Sequence, residues 1–135
     1  MIENLRFHHI GIAARSIDKC IKAYGEMGFA ASEIVIEPSQ NVKIAFLSKA
    51  GHPLMEIIEP LNDESPVSRI IQNSGTTPYH ICYEVDDIEK TAEDLEDKRF
   101  RMLFEPLVSE AMDQGLFCYL FSPDIGLIEL YQKKK

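Results

Sequence analysis

Two histidines and two glutamates occupy matching stations in an internal repeat of this 135-residue chain. Setting "HIGIAARSIDKCIKAYGEMGF", which starts at His9, against "HICYEVDDIEKTAEDLEDKRF", which starts at His80, needs no gap at an offset of 71. His9 then meets His80, Ile10 meets Ile81, Ile17 meets Ile88, Lys19 meets Lys90 and Phe29 meets Phe100, while Asp18/Glu89 and Glu26/Asp97 keep their charge. Five identities in 21 positions are modest alone, so the agreement has to come from structure type as well. Glu56 in "PLMEIIEP" follows His9 by 47 residues, and Glu129 in "GLIELYQ" follows His80 by 49. Imidazole nitrogen with carboxylate oxygen is a donor set for Zn²⁺, Ni²⁺, Co²⁺, Mn²⁺ or Fe²⁺, and four protein ligands leave positions of an octahedral shell open. The spacing therefore predicts one divalent metal held by His9, Glu56, His80 and Glu129.

Those residues must be carried by elements that repeat too. "FHHIGIAA" and "YHICYEV" place apolar residues at every second position and read as strands. Ser16 and Asp86 or Asp87 are N-cap residues. Behind them Ile17, Cys20, Ile21 and Tyr24, and then Ile88, Ala92 and Leu95, follow the spacing of a buried helical face. Gly28 ends the first helix, and Lys98 and Arg99 suit the negative end of the second. Three strand-like runs follow each helix: 30–37, 42–48 and 54–59 in the first copy, and 100–105, 116–121 and 127–132 in the second. The expected organisation is a βαβββ module over 1–60, a linker over 61–77 with a short helix starting near Ser65 or Pro66, and a second module over 78–135. The segment 106–115, "PLVSEAMDQG", reads as a loop of the length that often covers a site.

Alternation decides which side chains share a face. His9 goes with Phe7, Gly11 and Ala13, Glu56 points away from Met55 and Ile57, His80 away from Ile81, Tyr83 and Val85, and Glu129 away from Ile128 and Leu130. The apolar residues are expected against the helices and the polar four on the other face, with small Gly11 and Ala13 leaving room. Cys82 falls on the face of His80 as a small wall residue, His8 on the helix side, and His52 in the loop "KAGHP". Tyr79, Tyr119 and Tyr131 are read as packing residues, one of them a candidate to hydrogen-bond substrate.

Composition excludes several roles. A net charge of −8 argues against general nucleic-acid binding and against a membrane surface, and "KKK" at 133–135 is too short to reverse it. No apolar run reaches the ~18 residues of a membrane span, and "MIENLRFHH" lacks a signal-peptide pattern, so a cytoplasmic protein is expected. Three scattered cysteines give no disulfide framework.

"HHIGIAARSIDKCIKAYGEMGF", "MEIIEP", "HICYEVDDI" and "IGLIELY" together resemble the vicinal oxygen chelate superfamily, the glyoxalase/bleomycin-resistance fold, over nearly the whole length. The resemblance implies an α+β domain in which two βαβββ modules with mixed sheets curl around a metal, with the ligand positions falling on His9, Glu56, His80 and Glu129. Within the superfamily, "EIIEPLNDESPVSRII" and "YHICYEVDDI" are similar to the methylmalonyl-CoA epimerases. The chain departs from them in carrying Glu56 where glutamine is frequent, which matches glyoxalase I instead. It also has "SEAMDQG" in place of a glycine-rich loop, "SPD" (Ser122–Asp124) in place of "HPK", and Lys43 near the place of a proposed basic glutamate.

Both families remove a proton from carbon α to a carbonyl or thioester. The resemblance implies Glu129 as the base that moves the proton, Glu56 as its symmetric partner, and metal stabilisation of the resulting enediolate. The leading expectation is a glyoxalase I-type lyase or isomerase acting on a small-molecule thioester or hemithioacetal with one Zn, Ni, Co or Mn ion per site. The methylmalonyl-CoA epimerase activity stands second. A non-catalytic, antibiotic-binding member would lack the quartet, and an extradiol dioxygenase would use two histidines and one carboxylate, so Glu56 argues against it. Open sheet edges lead to the expectation of a homodimer.

Overall fold

The alternating run that carries His9 forms β1 (Arg6–Ala13), and the capped apolar helix behind it is α1 (Ile17–Glu26). In this computed structural model, which describes residues 2–135, the first compact unit is His9–Tyr79 and the second comprises residues 2–8 with His80–Lys135. The first unit continues with β2 (Ala30–Ala31), β3 (Val35–Glu37), a 3-10 turn, β4 (Val42–Ser48), β5 (Met55–Pro60) and α2 (Pro66–Ser74). Strands β2 and β3 both lie antiparallel to β4, β4 is antiparallel to β5, and β5 runs parallel to β1.

The second unit repeats this plan. β6 (Thr77–Glu84) is followed by α3 (Ile88–Glu96), β7 (Arg101–Met102), β8 (Leu107–Ser109), β9 (Gly115–Ser122) and β10 (Gly126–Gln132). Strands β7 and β8 lie antiparallel to β9, β9 is antiparallel to β10, and β10 runs parallel to β6. The fold is mixed α+β, with each module a βαβββ unit whose second strand is broken in two. The expected strands at 30–37 and 100–105 are interrupted, and part of the loop expected over 106–115 pairs as β8. In the first unit the break has a local cause. The Ser32 hydroxyl accepts from the Phe46 N–H at 2.8 Å, and the Ser32 N–H donates to the Phe46 carbonyl at 2.8 Å, so ladder groups of β4 are satisfied outside a regular strand.

Two apolar cores result, one under α1 and one under α3. In the first, Ile12, Ala14, Ile17, Ala45, Leu47 and Ile57 are buried, with Ile10, Cys20, Ile21, Tyr24, Phe29 and Met55 packed against them. In the second, Val85, Ile88, Ala92, Leu95, Cys118, Leu120, Ile128 and Leu130 are buried. These are the apolar faces expected from alternation, apart from Ile81, which remains 41% exposed instead of joining the α3 core.

The helix N-termini are fixed in parallel ways. Ser16 accepts from the Lys19 N–H and Asp87 from the Lys90 N–H, each capping its helix three residues on. The next orphan donor of each helix reaches the module's last strand: the Ile17 N–H donates to Glu59 Oε1 at 2.8 Å and the Ile88 N–H to Gln132 Oε1 at 2.8 Å. Glu59 and Gln132 lie 73 residues apart, as do Glu56 and Glu129. Strand β5 or β10 is therefore tied both to its parallel neighbour and to the helix that follows that neighbour.

Two outcomes follow from this packing. A Cβ at Gly115 would clash with Cε1 of Tyr131 and lie 2.7 Å from the Gln132 carbonyl oxygen, whereas one at Gly25 meets nothing within 4 Å. Gly115→Ala is expected to destabilise the fold by about 1–3 kcal/mol in chemical denaturation, and Gly25→Ala, in the last turn of α1, to stabilise it by about 0.5 kcal/mol. The second outcome concerns Cys118, whose thiol is pushed from 9.0 up to about 12, chiefly by burial and then by the charge of Glu129. The unfolded thiol ionises first, so its contribution to stability is complete below pH 9 and lost as pH rises toward 12. Cys118→Ala should remove that part of the alkaline decline, read from denaturation midpoints between pH 8 and 11.

Candidate functional site

Strand pairing brings His9 to Glu56 within the first unit. In the parallel register of β1 and β5, Gly11 lies opposite Glu56. His9 Nε2 and Glu56 Oε1 are 3.2 Å apart, with side chains 0% and 3% exposed. On the other side of β5, Phe46 of β4 is paired with Glu56, and its ring meets that of His9 edge-on at 5.6 Å.

The second unit assembles its pair by the same rule. Cys82 lies opposite Glu129 in the β6–β10 register, and His80 Nε2 and Glu129 Oε1 are 3.0 Å apart with side chains 0% and 2% exposed. Tyr119 of β9 is paired with Glu129, and its ring lies 5.2 Å from that of His80 at 64°. Phe46 and Tyr119 are 73 residues apart, so an aromatic residue flanks each pair at the same station. The same offset applied to the sequence finds both rings, although periodicity alone marked neither as a neighbour of the histidines.

Each half offers one imidazole nitrogen and one carboxylate oxygen of the kind that holds a metal. With ligand distances of about 2.1 Å, adjacent ligand atoms of an octahedral shell lie about 3.0 Å apart. The separations of 3.2 Å and 3.0 Å match that spacing, so the donors of each half fit a divalent cation. A histidine that holds a cation there does so through the lone pair of an Nε2 that carries no proton.

The remaining polar residues fall around this frame. Cys82 is fully buried on the face of His80, as alternation predicts. His8 differs from its expected helix-side position: its ring lies 5.0 Å from Tyr131, which shares a face of β10 with Glu129. The strand alternation on which that expectation rested therefore does not describe His8. His52 is exposed, with its ring near Phe29. Lys43 forms an ion pair with Glu59 at 3.1 Å, which places its charge at the helix-capping carboxylate.

The 109–115 segment is fastened beside Glu129. The Tyr131 hydroxyl donates to the Met112 carbonyl at 3.1 Å, and the Met112 N–H donates to the Ser109 hydroxyl at 3.1 Å. Burial, followed by the charges of Asp113 and Glu84, pushes the Tyr131 phenol up, which keeps its proton in place to donate.

Residues 8–119 match the Glyoxalase/Bleomycin resistance protein/Dioxygenase superfamily. The chain is 33% identical to the human mitochondrial methylmalonyl-CoA epimerase over 131 residues, which cover 94% of this chain and 73% of that protein. Among solved structures, it is similar to a hypothetical protein from Bacillus halodurans C-125 at 31% identity and a TM-score of 0.86, covering 98% of this chain and 97% of that one. A variant of the Streptomyces coelicolor methylmalonyl-CoA epimerase, solved in complex with 2-nitronate-propionyl-CoA, superposes with a TM-score of 0.85 at 25% identity over 98% of this chain and all of that one. By that match across most of its length, the chain belongs to the glyoxalase/bleomycin resistance protein/dioxygenase superfamily.

Proposed function

We propose that this chain is a metal-dependent epimerase of a methylmalonyl-type CoA thioester, with one divalent cation held jointly by His9, Glu56, His80 and Glu129. The observation that carries the reading is the pair of buried imidazole–carboxylate contacts, at 3.2 and 3.0 Å, on repeat-related strands of a chain whose relatives are epimerases. A cation held there supplies Lewis-acid stabilisation of the negative charge that develops on the acyl oxygen as the α-proton leaves.

The chain's own groups handle the proton. Glu129 is assigned its removal. Inversion requires a second proton-transfer group for the other face of the planar enolate, and Glu56, the repeat-related carboxylate, is assigned its return. Burial of both carboxylates strengthens their electrostatic effect on the reacting carbon.

We place epimerisation first, ahead of the glyoxalase I-type reaction that led from sequence, because the relatives compared include epimerases. A glyoxalase I-type isomerisation stands as the second reading, favoured by the carboxylate at Glu56. The two share α-proton removal and differ in the carbon that is reprotonated.

The deciding measurement is α-proton exchange in deuterated water with methylmalonyl-CoA, run beside turnover of the methylglyoxal–glutathione hemithioacetal. The epimerase reading expects exchange with inversion, abolition by a chelator, and recovery with Co²⁺ or Mn²⁺. Glu129→Gln should lower the rate at least 100-fold. Turnover of the hemithioacetal without exchange of methylmalonyl-CoA would overturn it in favour of the second reading.

We also propose a homodimer. Exposed Ile34 and Ile36 at β3, and Val108 at β8, give the outer strands of both units apolar surface to cover. Sedimentation equilibrium should return twice the 15.4 kDa chain mass, and a monomer at micromolar concentration would exclude it.

A further inference from the structure

The two halves repeat so closely that their differences stand out, and one of them places a hydrogen-bond donor beside a candidate ligand pair. Phe46 and Tyr119 hold the same station, each opposite a glutamate in an antiparallel pair and each with its ring against a histidine. The first contributes a phenyl ring and the second a phenol. We infer that the Tyr119 hydroxyl is a substrate-binding donor, which hydrogen-bonds the anionic oxygen of the acyl group in the planar anion formed when the α-proton leaves. This rests on the reaction class proposed above.

Three features support the assignment. Tyr119 is half-buried, while His80, Cys82, Phe117 and Glu129 on the same face are buried, so of these side chains its ring keeps open surface. Its ring is held edge-on by Phe104 at 5.7 Å and 89°, and by Phe117 at 6.2 Å and 79°, so the hydroxyl is presented on a fixed support.

The third feature is charge. Two glutamates among the four candidate ligands carry as much negative charge as a divalent cation carries positive charge. The set then offers no net positive charge to an anionic substrate oxygen, in a chain whose net charge is −8. A neutral O–H donor stabilises that oxygen without altering the charge balance, as donors in oxyanion holes do. Such a bond strengthens as negative charge builds on the acceptor, so Tyr119 acts more on the anion than on the neutral thioester.

The test compares two CoA thioesters on wild-type protein and on Tyr119→Phe, by isothermal titration with Co²⁺ present. 2-Nitronate-propionyl-CoA carries an anionic acyl end, and propionyl-CoA carries none. Tyr119→Phe should bind the nitronate about tenfold more weakly and propionyl-CoA unchanged, with an unfolding midpoint equal to wild type. Equal nitronate affinity in the two proteins, or an equal loss for both ligands, overturns the role of Tyr119 and leaves the epimerase reading standing. A wild-type chain that does not bind the nitronate overturns both.

Discussion

A carboxylate kept out of water is tolerable only beside a group that answers its charge, and each half of this chain is organised around one such carboxylate. Glu56 and Glu129 are each 2% exposed, and removing an ion of that kind from solvent costs several kcal/mol if nothing compensates. In both units a histidine side chain lies within hydrogen-bond distance to offset it. The requirement reaches outward. The strand bearing the glutamate must run parallel to the strand bearing the histidine, which demands a crossover, and the helix of that crossover must bury its apolar face on the opposite side of the sheet.

The helix caps show how tightly that arrangement closes. A parallel pair could slide by two residues and keep its faces, but Glu59 and Gln132 hold the first free N–H of α1 and α3 from the ends of β5 and β10. A slip would break those bonds and leave two helix termini unsatisfied. Three constraints of different kinds, namely apolar burial, ladder register and end-capping, therefore select one alignment of histidine and glutamate in each half. That the capping group is charged at Glu59 and neutral at Gln132 follows the local setting, since Lys43 accompanies only the former.

Much of this is readable in the sequence because it depends on short periods. Ile10 and Ile12 against Glu56, or Ile128 and Leu130 against Glu129, sort by alternation alone, and Ser16 and Asp87 announce their helices. The parts that were not legible depend on contacts between distant positions. Glu59 reaches a donor 42 residues away and Gln132 one 44 residues away, and nothing local marks either as a cap. His8 was assigned to the helix side because neighbouring strand residues normally alternate, yet its ring contacts Tyr131. The break between β2 and β3 lies in a stretch that reads as a single strand, and the side-chain bond of Ser32 divides it, while β8 lies in a stretch that reads as a loop. Ile81 is apolar, correctly placed in the alternation and still exposed, because strand period says which way a side chain points and not what covers it.

The parallel joining of first and last strands also sets an order in time. Each histidine waits 47 or 49 residues for its glutamate, a separation that puts these pairings among the slow, non-local steps of folding. During synthesis the first unit can close its pair once β5 has emerged, before Glu129 is made. The second pair waits for β10, which follows His80 by 46 residues. One half can thus be finished while the other is still being translated, and a chain that stops short of β10 carries His80 with no strand to bring it a carboxylate.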